Sequence, residues 1–281
     1  MGFDPGVLVT GAGGQVGRAL QNEWRGPTYL EHAELDVTDA GSVRSAIRVA
    51  RVVIHLAAFT NVDGCEEQPE IAHQVNAEGT RLISEAARSS GARVIFISTD
   101  YVFDGRSGDE YAEDDACSPL NVYGRSKLEA ERHVQRNADN LTIRTSWVFG
   151  DGKNFIKSIL RAAENGIPLR VVCDQRGRPT YARDLAAAIR TAAERNVSGI
   201  VHVCGDGDPC TWAELARVSL EARGSSARVE PVTSQEYETQ ATKTVAARPA
   251  NSVLSLNRAR ALGFPLRPWR RSVEDYVREL P

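Results

Sequence analysis

Lysine is scarce in this chain: of 34 basic residues four are lysines (Lys127, Lys153, Lys157 and Lys243) and 30 are arginines. No sign of charge dominates either. The 37 acidic residues leave a formal net charge of -3, which argues against a nucleic-acid binder, since such proteins carry a basic surplus. No apolar run reaches the roughly 18 residues of a membrane span. The start lacks the basic and apolar regions of a secretory signal, and Gly6 stands where a myristoylation signal needs Ser or Thr. The five cysteines (Cys65, Cys117, Cys173, Cys204 and Cys210) are odd in number and form no Cys-x-x-Cys pair. That pattern reads as reduced thiols in a cytoplasmic protein. The five histidines show no ligand spacing, so no metal site is expected.

What is present is an ordinary globular composition over 281 residues, 42% hydrophobic and 25% charged. That length suits one large α/β domain or two modest lobes. Strand-like runs at Val7–Thr10, Thr28–Glu31, Val52–Ala58, Arg93–Ser98 and Leu141–Arg144 alternate with helical stretches near Gln15–Trp24, Pro69–Ser90 and Ser126–Arg136. This rhythm predicts an α/β fold, a doubly wound parallel sheet of Rossmann type. After Val148 the chain turns richer in Gly, Pro and polar residues, with short elements at Pro168–Cys173, Tyr181–Arg195, Gly199–Val203 and Thr211–Arg223 and a closing amphipathic helix in Arg267–Leu280. The division expected is a dinucleotide-binding domain over 1–148, with 181–203 returning to it. A smaller C-terminal substrate-binding lobe would take 149–180 and 204–281.

Thr10-Gly11-Ala12-Gly13-Gly14-Gln15-Val16-Gly17 follows the first strand directly. Glycines at 11, 14 and 17 let the turn close, let backbone amides approach a pyrophosphate, and let the helix pack on the sheet. The helix N-terminus then favours the phosphates. Glu31, 20 residues beyond Gly11, would accept hydrogen bonds from the ribose hydroxyls of NAD, whereas Arg18 or Arg25 could reach the extra phosphate of NADP. Asp36-Val37 is an alternative adenine contact. Small Ala57 and Ala58 after the third strand would permit close approach of the cofactor.

Tyr123 and Lys127 stand four residues apart, so on a helix they share one face. An adjacent cation favours phenolate and makes a tyrosine usable as a proton donor or acceptor for a carbonyl. With seven tyrosines and four lysines this spacing arises by chance in about one such chain in ten. Ser98-Thr99-Asp100 ends the fourth strand, at the sheet edge where α/β folds bind ligands. Thr99 would bond the reacting oxygen beside Tyr123, and Asp100 a sugar hydroxyl.

Glycine turn, hydroxyl and Tyr-x-x-x-Lys together, with Val75-Asn76-Ala77-Glu78-Gly79-Thr80, resemble the extended short-chain dehydrogenase/reductase family. Ala58–Asp63, Ser98–Phe103, Ser118–Gly124, Arg144–Val148, Asp174–Thr180 and Ala247–Ser252 narrow the resemblance to its dTDP-4-dehydrorhamnose reductase group, over nearly the whole chain. The resemblance implies NADPH- or NADH-dependent reduction of the C4 ketone of a dTDP-6-deoxyhexulose. Tyr123 would give the proton, Lys127 would hold the nicotinamide ribose and lower the Tyr123 pKa, and Thr99 would polarise the carbonyl. Trp147 would pack on the sugar and Arg248 would meet the substrate's nucleotide part. Gly14, Gln15, Val16, Asp36, Val37, Ala58, Phe59 and Thr60 would line the cofactor. Where some members hold a magnesium ion across a dimer, Ala19 and Arg183 stand here, so a monomer or a homodimer without that metal is expected. Another dTDP-ketosugar as substrate, or a non-catalytic dinucleotide-binding regulatory subunit, remain the alternatives.

Overall fold

Val7, Leu8 and Val9 are all buried, yet successive side chains of a strand point to opposite faces. Val7 and Val9 join one apolar core and Leu8 another, so their strand lies in a sheet covered on both sides. The structure, a computed structural model, describes residues 6–240 and 244–281. In chain order β1 (Val7–Thr10), α1 (Gln15–Glu23), β2 (Thr28–Leu30), α2 (Ala40–Ile47) and β3 (Val52–His55) come first. Then follow α3 (Val62–Glu67), α4 (Pro69–Ala72), a π-helical segment (His73–Glu78), α5 (Gly79–Ser90), β4 (Arg93–Thr99), α6 (Val122–Val134) and β5 (Leu141–Thr145). The second half holds β6 (Val148–Phe149), α7 (Phe155–Glu164), β7 (Leu169–Val172), β8 (Arg176–Gly177), β9 (Thr180–Tyr181), α8 (Ala182–Glu194) and β10 (Gly199–His202). It ends with β11 (Cys210–Thr211), α9 (Trp212–Arg223), β12 (Val229–Val232), α10 (Ser234–Gln240), α11 (Asn257–Ala261) and α12 (Trp269–Glu279).

Six strands form the main sheet in the order β2-β1-β3-β4-β5-β10, and every neighbouring pair is parallel. The direction of winding reverses between β1 and β3, which opens a crevice at their carboxyl ends. Leu20 of α1 with Leu185 and Ile189 of α8 covers one face. Val43, Ile47, Ile83 and Val134 of α2, α5 and α6 cover the other. A separate core joins Ile156 and Leu160 of α7, Leu215 of α9 and Val273 and Val277 of α12. Among the described residues no helix is long and apolar enough to cross a membrane.

Three elements differ from the sequence reading. The third strand stops at His55 rather than Ala58, because its neighbour β1 ends at Thr10: the last rung between them is the bond from Leu56 N–H to the Thr10 carbonyl at 3.3 Å. The single helix expected over 69–90 carries the π-helical segment in its middle. The helix expected from Ser126 begins at Val122, since the Asn121 side chain accepts from Gly124 N–H and caps it. That earlier start puts Tyr123 in the first turn, on the helical face of Lys127.

Candidate active site

Gly11 leaves β1 with φ +68°, and a Cβ there would come within 2.6 Å of the Ala57 backbone nitrogen. The turn is therefore pressed against the end of β3, and only a residue without a side chain fits. Gly17 packs on Ala12 in the same way, and Gly14 is the N-cap of α1. No side chain caps that helix and no acidic residue occupies its first turn. Its leading N–H groups are left for an anion, which fits the pyrophosphate of a dinucleotide.

A cavity of about 760 Å³ extends from this turn along the crevice. Gly11, Gly14, Gln15, Val16, Gly17, Asp36, Val37, Ala57, Ala58 and Thr60 line one end. Thr99, Asp100, Tyr123, Lys127 and Trp147 line the other. Thr99, the last residue of β4, donates to Asp100 Oδ1 at 3.1 Å and accepts from Tyr101 N–H at 3.2 Å. Burial holds the Tyr123 phenol well above its usual range, and the Asp100 charge adds to this, while the neighbouring Thr99 hydroxyl works against it. Lys127 is buried with Nζ 4.0 Å above the Phe96 ring centroid, and desolvation pulls its pKa down to about 7 against the pull of Glu131. Burial thus sets the direction of the Tyr123 shift. Asp100 is pushed up to about 7 by burial, against the hydrogen bonds it receives from Ser252 and Thr99.

The sequence model of the RmlD substrate binding domain family matches residues 6–281. The chain belongs to that family. Among relatives of this RmlD-family chain, the Bacillus subtilis spore coat polysaccharide biosynthesis protein SpsK is 37% identical, over 97% of each chain. The dTDP-4-dehydrorhamnose reductase of Sinorhizobium fredii is 38% identical over 96% of each. A crystal structure of dTDP-4-dehydrorhamnose reductase from Bacillus anthracis in complex with NADP superposes with a TM-score of 0.92, at 33% identity over 98% of this chain and 99% of that one.

Four of the residues singled out in this RmlD-family sequence lie away from the cavity lining: Arg18 and Arg25, the candidate contacts to an NADP phosphate, and Phe59 and Arg248. Phe59 packs by its ring against Gly64. Arg248 is committed to Asp63, with bonds of 2.9 and 3.0 Å, and to the Ala246 carbonyl at 3.0 Å. That pair ties the chain before Asn251 to α3, and its guanidinium charge is already met by a carboxylate. Arg183 pairs with Glu279 at 2.9 Å and with Glu23 at 3.4 Å, beside a small recess that Ala19 also lines.

Other residues of the site were not singled out. Asn76, in the π-helical segment, accepts from Phe59 N–H at 2.7 Å and donates to the Phe59 carbonyl at 3.1 Å and to Ser126 Oγ at 2.9 Å. Ser126 in turn donates to the Tyr123 carbonyl at 2.8 Å. The loop after β3 is thereby fastened to the first turn of α6. Behind it His55 is wholly buried and pushed down to about 3, so it is neutral. Thr80 donates to the Asn76 carbonyl and so accepts from His55 Nε2 at 3.0 Å, leaving Nδ1 to accept from Thr10 at 2.8 Å. The available signal was the string Val75–Thr80, which carries part of the family resemblance. Lys153 and Trp212 also line the cavity, as does Glu31, which the sequence had pointed to. Trp212 follows a Thr-x-x-Glu capping box, Thr211 with Glu214, that is legible in the sequence.

Proposed function

We propose that this chain reduces the C4 ketone of dTDP-4-dehydro-L-rhamnose to dTDP-L-rhamnose with NADPH or NADH. The observation that carries the reading is the gathering of Thr99, Tyr123 and Lys127 at one end of a cavity whose other end is an uncapped glycine turn. The family relatives named above as dTDP-4-dehydrorhamnose reductases support the substrate. Residues 1–148 with 181–203 would bind the dinucleotide, and 149–180 with 204–281 the sugar nucleotide. Gly11, Gly14, Gln15, Val16 and Gly17 would hold its pyrophosphate, with Asp36, Val37, Ala57, Ala58 and Thr60 along the adenosine and ribose.

The bound nicotinamide supplies the hydride for C4. The protein's part is the proton and the placement. Tyr123 gives its hydroxyl proton to the carbonyl oxygen as negative charge gathers there. Thr99 has one hydroxyl proton to offer, and turning it from Asp100 to the ketone polarises the carbonyl. Lys127, in its ammonium form, stabilises the phenolate left behind and bonds the nicotinamide ribose. Trp147 offers a flat apolar face to the sugar. The five cysteines are free, which supports a reducing, cytoplasmic setting. The guanidinium of Arg183, paired with Glu279 beside the recess that Ala19 lines, leaves no acidic pair from these two positions to bridge a metal, and the protein is read as a monomer or a homodimer without one.

The test is turnover of purified protein with dTDP-4-dehydro-L-rhamnose, followed by loss of reduced-cofactor absorbance and by product NMR. Tyr123→Phe is expected to lose most of kcat while still binding cofactor. Wild-type turnover by that variant would remove Tyr123 as the acid.

A further inference from the structure

Trp147 has φ +48°, one of two non-glycine residues with positive φ among those described, the other being Asn196. A bulky side chain keeps that backbone only where its surroundings over-determine it. Here they do so from two sides. The Trp212 ring lies flat on Trp147, with centroids 3.8 Å apart and planes 13° from parallel. Gly177 also presses on the indole, since a Cβ there would come within 2.6 Å of Trp147 Cε2. Phe155 backs Trp212 at 4.7 Å and 59°. Trp212 is itself fixed, as the first residue of α9 behind the capping box of Thr211 and Glu214. Both indoles line the cavity that holds Thr99 and Tyr123.

We propose that Trp212 is a positioning residue for the substrate sugar. It holds the Trp147 indole at the angle from which that ring meets the sugar, and so sets where the C4 carbonyl lies relative to Tyr123. This rests on the reading of Trp147 as the sugar's platform. The element that delivers Trp212 is remote in sequence from both the glycine turn and α6, so its loss should fall on the sugar nucleotide and spare the dinucleotide. An aromatic ring of smaller area keeps the stack, whereas a branched aliphatic of similar bulk does not supply a flat face.

The experiment compares full-length wild type with Trp212→Phe, Trp212→Leu and Trp212→Ala. Dissociation constants for NADPH, NADH and dTDP-L-rhamnose are measured by calorimetry, and kcat and KM with the ketosugar. Expected is an NAD(P)H affinity within about twofold of wild type for every variant that folds. Trp212→Leu and Trp212→Ala should weaken dTDP-L-rhamnose and lower kcat/KM by about tenfold or more, with kcat falling as well as KM rising, and Trp212→Phe should recover most of both. Equal rescue by Leu and Phe would reduce Trp212 to a filler of space and overturn the proposal, as would an equal loss of dinucleotide and sugar nucleotide. Wild-type binding of dTDP-L-rhamnose that Trp212→Leu leaves unchanged overturns it alone. A wild type that binds cofactor but no dTDP-sugar overturns the functional reading with it.

Discussion

A tyrosine that is to give up a proton must hold it until the ketone is in place. Burial does this for Tyr123, keeping it a phenol through the physiological range. The variable partner is Lys127, whose pKa near 7 means that its charge is lost as pH rises through neutrality. The folded value lies below the ordinary 10.5, so the loss comes early. With the ammonium gone Tyr123 is the poorer acid, and kcat/KM for reduction is expected to fall on the alkaline side of about 7. Asp100 titrates in the same range, so the profile should be measured on Asp100→Asn, where the fall persists, and on Lys127→Met, where it vanishes along with most of the rate. The pairing of Tyr123 with Lys127 was legible because helical spacing is a local rule. Their pKa values were not, because desolvation depends on Phe96 and the sheet beneath them. Glu31 also lines the cavity, beside the glycine turn. The Glu31 carboxylate lies against the glycine turn, 3.3 Å from where a Gly13 Cβ would be, with no ion-pair partner among the described residues. Unit charges about 4 Å apart in water repel by ~1 kcal/mol, more at a partly desolvated site. NADH is therefore expected to bind about tenfold tighter than NADPH, and Glu31→Ala to narrow the gap, as read by calorimetry.

At the level of elements, α6 carries Tyr123, the proposed proton donor, in its first turn and an anchor further along. Glu131 holds Arg144 of β5 through two bonds, 3.0 and 2.8 Å, with both side chains buried. Removing one partner of such a pair strands a charge in the interior. Glu131→Ala is expected to cost about 3–5 kcal/mol in urea unfolding, well above the cost of an exposed pair such as Arg190–Glu194. Of the elements, those with a strong apolar period were readable: β1, β4, β5 and α12 lie within a residue or two of where the pattern put them. The π-helical segment was not, because its cause is Asn76 reaching a loop 17 residues earlier, a contact that no local period encodes. The start of α6 was missed for a different reason. Asn121 was an available cap, but the reading followed the apolar residues rather than the capping signal.

The whole molecule places its glycine turn, Tyr123 and its paired indoles around one crevice, though they come from residues 11 to 212. The order of the six strands brings the first two groups together, and the parallel rhythm of the sequence was enough to anticipate that. The third comes from α9, beyond the main sheet, and composition gave no means of docking it. A last consequence follows from an arginine-rich chain with only four lysines, one of them interior and close to neutral. An uncharged amine is a nucleophile at pH values where most lysines are inert. A small aldehyde followed by borohydride, applied near neutrality, should alkylate Lys127 first, and NADH should shield it. Peptide mass spectrometry would then report cofactor occupancy without any turnover, so that the scarcity of lysine becomes a built-in footprint of this interior amine.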